Sequence, residues 1–121
     1  MATISSHVLN SVDGTHAGGV RVQCWRILDS GARESVFDVR SGEDGRIGAT
    51  VDVDADDPER VYEVEFHTGD YFEARGPAED RRIMRTVVLR LTMPDAEAKY
   101  HMPIIAGPHG YSTWWLSLIH I

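Results

Sequence analysis

The chain has one cysteine, Cys24, in 121 residues. No disulfide can form within it, and a lone thiol fits a reducing compartment. No stretch approaches the roughly 18–20 apolar residues of a membrane-spanning helix. Residues 1–7, MATISSH, lack the basic-then-apolar order of a secretory signal. The final residues, ending Leu118-Ile119-His120-Ile121, are not a peroxisomal address. The cytoplasm is the location these absences leave. Positive charge is scarce as well: 12 Lys and Arg stand against 19 Asp and Glu, for a formal net charge of -7. The densest basic cluster is Arg81, Arg82 and Arg85. An acidic chain is repelled by nucleic acid and by anionic membranes, so neither is expected as a partner. There is no Gly-x-Ser-x-Gly elbow and no glycine-rich phosphate loop. The six histidines show neither HxH nor HxxxH spacing. With a single thiol beside them, no metal framework is expected and no cofactor is implied.

What is present is strand signal. Val20, Val22 and Cys24 alternate with Arg21, Gln23 and Trp25, the period of a half-buried strand. Residues 61–66 alternate the same way and put Glu63 and Glu65 on the wet face. Residues 86–93 form a third strand, and 102–105 and 111–115 two more. Residues 4–9 and 33–39 are weaker strands. Turn residues separate the runs: Asp13-Gly14, Ala17-Gly18-Gly19, Ser30-Gly31, Asp44-Gly45 and Pro108-His109-Gly110. Asp54–Pro58 is an acidic loop that can open a short helical turn. Residues 70–74, bracketed by Gly69 and Gly76-Pro77, fit one short helix. Short strands at this spacing predict an all-β, two-sheet sandwich with one short helix, as a single domain over residues 1–121.

Histidine titrates near neutral pH and is the usual general acid or base. His7 lies in a short strand. His101 precedes Met102-Pro103, where proline removes a ladder donor; the strand should lie at an edge or begin at a distortion. Arg46 follows the Asp44-Gly45 turn, and its planar fork suits a planar, carbonyl-rich substrate. Ser112, Thr113 and Ser117 supply hydroxyls. Tyr111, Trp114 and Trp115 read first as packing aromatics. Cys24 reads as a small core residue.

Four blocks, in order, carry a resemblance to a known family. They are Ser6-His7-Val8-Leu9-Asn10 with Gly14 and Ala17, then Asp44-Gly45-Arg46, then Phe66-His67-Thr68-Gly69-Asp70-Tyr71-Phe72. The last is Tyr100-His101-Met102-Pro103-Ile104-Ile105 with Pro108–Thr113. Together they resemble the 5-hydroxyisourate hydrolases, the bacterial relatives of transthyretin. The resemblance implies a transthyretin-like sandwich assembled as a homotetramer, with clefts at the dimer–dimer interface lined by more than one subunit. It implies hydrolytic ring opening of 5-hydroxyisourate, a product of urate oxidation, without metal or organic cofactor. The family's catalytic residues fall on His7, Arg46 and His101. Its substrate-contacting positions fall on Arg46, Tyr111, Ser112, Thr113, Trp114 and Ser117. The family usually closes on Tyr-Ser-Thr-Tyr-Arg-Gly-Ser; here Trp114, Trp115 and Leu116 replace the second tyrosine, the arginine and the glycine, and Ser117 keeps its register. That substitution leaves room for a hydrolase of another cyclic ureide or substituted purine. A non-enzymatic small-molecule binder is a third reading, and the retained His7, Arg46 and His101 weigh against it.

Overall fold

A computed structural model describes residues 1–76 and 83–117. Pro77, Arg81, Arg82 and Leu118–Ile121 lie outside the described residues. The elements in chain order are β1 (Ala2–Asn10), β2 (Arg21–Ile27), β3 (Arg33–Arg40), β4 (Arg46–Val51), β5 (Val61–Phe66), α1 (Thr68–Glu73), β6 (Val87–Thr92), β7 (Lys99–His101), β8 (Ile104–Ala106), β9 (Tyr111–Thr113) and β10 (Leu116–Ser117).

The strands form two sheets. One is four-stranded, in the order β3-β2-β5-β6, antiparallel throughout. The other is built around β1. On one side β1 pairs antiparallel with β4; on the other it runs parallel to β7 and then β8. These two are one strand interrupted at Met102-Pro103, and β10 and β9 pair antiparallel outside them. The proline therefore marks a break in an interior strand rather than an edge. Met102 is the last donor before it, giving its N–H to the Ser5 carbonyl at 2.9 Å.

Strict alternation explains why β1 sits at the centre. Ala2, Ile4, Ser6, Val8 and Asn10 are buried, whereas Thr3, Ser5, His7 and Leu9 are only partly covered. The buried set joins Val22, Cys24, Tyr62, Val64, Phe66, Met93 and Ile104 in the core between the sheets. Two polar members are satisfied: Ser6 Oγ donates to the Met102 carbonyl at 2.6 Å and Asn10 Nδ2 to the Tyr71 hydroxyl at 3.2 Å. Burial pushes the Cys24 thiol up to about 12, so it is an inert core residue.

Three sequence expectations shift. Residues 46–51, read as following a turn, form strand β4. Asp54–Pro58 makes turns and no helix. Glu63 and Glu65 lie on the outer face as expected but are covered. Their side chains are 16% and 14% exposed beneath arginines of the same face.

Candidate active site

The register of the six-stranded sheet decides which side chains meet. His7 on β1 is directly opposite Arg46 on β4. Ser5, two residues back on the same face, is opposite His101 on β7. Residues facing each other across a ladder have Cα atoms roughly 4.5–5.5 Å apart. Residues 7, 46 and 101 are remote in sequence, yet β1 gathers them onto one outward face.

The turn before β4 is built for this approach. Gly42 donates to the Arg46 carbonyl and accepts from Gly45 N–H, at 3.0 and 2.8 Å. Asp44 Oδ1 accepts the Arg46 N–H at 3.0 Å. The Gly45 carbonyl takes the Val8 N–H at 2.7 Å. Gly45 has a φ of 77°, and a Cβ there would collide with the Val8 carbonyl oxygen and lie 3.3 Å from Cδ2 of His7. Only glycine lets this turn lie against the His7 ring.

Each imidazole is held by a neighbour. His101 Nδ1 is 2.8 Å from Ser5 Oγ, which leaves Nε2 as its open nitrogen. His7 Nε2 is 2.9 Å from Nδ1 of His16, with ring centroids 4.9 Å apart. Arg46 is exposed, and among the described residues no carboxylate pairs with its guanidinium. Burial, and then the Arg46 charge, push both His7 and His101 below the ordinary imidazole value of 6.5. For His7 a hydrogen bond from the ring N–H to the Asp44 backbone carbonyl acts in the opposite direction. At neutral pH both rings therefore favour the neutral form, which can accept a proton. The exposed guanidinium can hold carbonyl oxygens, and a neutral imidazole beside it can take a proton from water.

Ladder register also sorts the other expected contacts. Ser112 pairs with Ile105, whose neighbour across the next ladder is Leu9, so all three share the His7 face. Thr113 pairs with the buried Ile104, and its Oγ1 donates to the Pro103 carbonyl at 2.8 Å. Tyr111 pairs with the buried Ala106, and Trp114 is exposed between β9 and β10. Ser117 pairs with Tyr100 while Leu116 pairs with His101, so the register puts Leu116 on the His101 face and Ser117 on the other. Trp115 packs against Tyr100 at 6.4 Å between centroids and lines an apolar cavity of about 250 Å³ with Leu91, Pro94 and Met102.

Ser5 and His16 did not emerge from sequence reasoning. Ser5 carried a usable signal, since position i−2 of a strand shares the face of His7. His16 carried none, because its approach depends on how the loop after β1 returns. Among the described residues no group of three His, Cys, Asp or Glu side chains could hold a metal ion.

The fold is that of a two-sheet β-sandwich protein, and its candidate site is the outward face that carries His7, Arg46 and His101. Residues 4–115 match the model of the HIUase/Transthyretin family. The chain belongs to that family. It is 34% identical over 112 residues to a protein of Rhizobium meliloti (strain 1021) named 5-hydroxyisourate hydrolase 2, covering 92% of both chains. The structure of Klebsiella pneumoniae 5-hydroxyisourate hydrolase superposes with a TM-score of 0.72 at 26% identity, over 94% of this chain and 97% of that one. Transthyretin from Sparus aurata gives a TM-score of 0.78 at 21% identity, over 94% and 96%, a likeness of fold.

Proposed function

We propose that this chain hydrolyses 5-hydroxyisourate, opening its ring at a cyclic amide C–N bond in urate catabolism. The observation that carries the reading is the outward face of the six-stranded sheet, which gathers His7, Arg46 and His101 and where, among the described residues, no carboxylate pairs with the guanidinium. His101 acts as general base. Its Nδ1 is engaged by Ser5, and its Nε2 takes a proton from water as the oxygen bonds to the carbonyl carbon. Arg46 holds the substrate's carbonyl oxygens and stabilises the negative charge that develops on the attacked one. The C–N bond then breaks and the leaving nitrogen receives a proton, a step in which His7 orients or relays the proton.

The reading extends to assembly. The protein acts as one domain over residues 1–121 and forms a homotetramer in which a second subunit closes the face that the single chain leaves open. It works in the cytoplasm and needs no cofactor. Among the described residues no helix is long and apolar enough to cross a membrane.

The test is the ultraviolet absorbance of freshly generated 5-hydroxyisourate with and without the protein. Acceleration by wild-type protein that is lost in Arg46→Lys supports the reading, because an ammonium cannot reproduce the planar fork. No acceleration by the wild type overturns it and directs attention to other cyclic ureides, which an apolar Leu116 beside His101 would suit.

A further inference from the structure

The loop after β1 carries a histidine that the mechanism above does not use. Its return is tightly specified. Asn10 N–H donates to the Thr15 carbonyl at 2.8 Å and Gly14 N–H to the Asn10 carbonyl at 2.9 Å. Asp13 Oδ1 accepts from both the N–H and the hydroxyl of Thr15, at 3.0 and 2.6 Å. Ala17 N–H reaches back to the Val8 carbonyl at 2.9 Å. These bonds bring His16 into a bridge with Leu9 on the rim of β1. Its ring lies alongside that of His7, inclined by 24°, with His7 Nε2 and His16 Nδ1 2.9 Å apart.

Two imidazole nitrogens at that distance share one hydrogen. If both carried N–H they would repel, and if neither did, two lone pairs would face each other. The protonation of His16 Nδ1 therefore dictates that of His7 Nε2. The groups facing His7 are the Asp44 backbone and carboxylate before β4, Arg46 on β4, His16 on the loop and, through its effect on His101, β7. Of these, His16 alone is a side chain within hydrogen-bond distance of the His7 ring.

We propose that His16 is a positioning residue for the hydrolase site: together with the Asp44 backbone carbonyl it fixes the orientation and tautomer of His7 and, being exposed, connects the His7 ring to solvent protons. This rests on the hydrolase reading above. A proton that His7 gives to the leaving nitrogen is replaced from His16 Nδ1, the His16 ring takes one from water, and His101 returns to solvent the proton it took from the attacking water.

The experiment uses the full chain and two variants. His16→Phe keeps a flat ring beside His7 but has no nitrogen. His16→Asn restores a hydrogen-bonding group near the Nδ1 position without a titrating ring. Nitrogen-15 spectra of the His7 imidazole, assigned with His7→Gln, read the tautomer in the absence of substrate. The expected result is one dominant His7 tautomer in wild type, a mixture in His16→Phe, and recovery of the single tautomer in His16→Asn. With 5-hydroxyisourate, kcat should fall on the order of tenfold in His16→Phe with KM unchanged, the size of one lost hydrogen bond to a working group. His16→Asn should recover most of kcat. Unchanged His7 spectra in His16→Phe, or changed spectra with wild-type kcat, would overturn the proposal. If wild-type protein leaves 5-hydroxyisourate untouched, the functional reading fails, and the spectra still decide whether His16 sets the state of His7.

Discussion

On the outer face of the four-stranded sheet, cations and carboxylates are interleaved. Arg21 forks onto Asp38 through Nε and Nη2 at 2.9 and 2.6 Å. Arg33 lies over the Trp25 ring and pairs with both Glu63 and Glu65; Arg90 reaches Glu63 from β6. On the outer face of the six-stranded sheet, the register places Thr3, Ser5, His7, Leu9, Arg46, Gly48, Thr50, Lys99, His101, Ile105, Ser112 and Leu116. Among these register positions the charged members, Arg46 and Lys99, are both cationic, and the carboxylate that acts on His7 is that of Asp44, in the turn before β4. Both faces are built from alternating strands. The first pairs its charged groups with one another; on the second, among the described residues, no carboxylate pairs with the Arg46 guanidinium. A cation left without a counter-charge on an ordered sheet is available to a ligand, whereas one already held by carboxylates is not.

That contrast can be broken by mutation. The largest effect is expected at Arg46. Arg46→Ala should lower kcat/KM for 5-hydroxyisourate by roughly 10²–10³-fold, as for loss of one donor to a developing oxyanion, with little change in stability because no ion pair is lost. Gly45→Ala should damage both properties. A left-handed residue with a blocked Cβ costs about 2–3 kcal/mol, read as a lower urea midpoint, and the displaced turn carries His7 and Arg46 with it. Ser5→Ala should lower kcat by about tenfold through loss of the bond that orients His101, with unfolding unchanged. On the opposite face, Glu63→Gln should lower stability by less than about 1 kcal/mol, by an amount that shrinks in high salt, and leave kcat/KM at the wild-type value.

pH dependence sharpens the same comparison. Burial first, then Arg46, hold His101 below 6.5 in the folded protein. The unfolded chain therefore binds protons first on acidification. Stability contributed by this group rises with pH through the window just below 6.5 and is lost as pH falls. The acid limb of kcat/KM should have its midpoint below 6.5, and in Arg46→Ala the His101 titration, followed by NMR, should move up toward 6.5. A titration that stays put would mean Arg46 does not face His101.

Much of the fold was legible because alternation was strong. In residues 20–25 and 61–66 the apolar partners other than Cys24 are β-branched or aromatic, and residues 21–25 and 61–66 lie in strands of the four-stranded sheet. β4 was less legible: its outward positions are Arg46, Gly48 and Thr50, which do not resemble a strand face, and its pairing with β1 is long-range. Asp44-Gly45 was read correctly as a turn, but its effect, pressing against the His7 ring, needed the backbone. His7, Arg46 and His101 were named through a family resemblance, and only ladder register puts them on one face. Ser117 shows the sensitivity of that register. A step of one residue moves a side chain to the other face, so the tail substitution that kept Ser117 in line could not reveal that Leu116 would face His101.

The most direct test places two histidines side by side. His101 on the open face and His67 beside the four-stranded sheet, where its Nε2 is 2.7 Å from Gln23 Oε1, are both held below 6.5 chiefly by burial. The measurement is kcat/KM for 5-hydroxyisourate in His101→Gln and His67→Gln relative to wild type. A loss of about 10²-fold or more in His101→Gln with full activity in His67→Gln is the predicted result, since the proposed mechanism assigns the general base to His101 alone. Full activity in His101→Gln would contradict the assignment of the site to the open face.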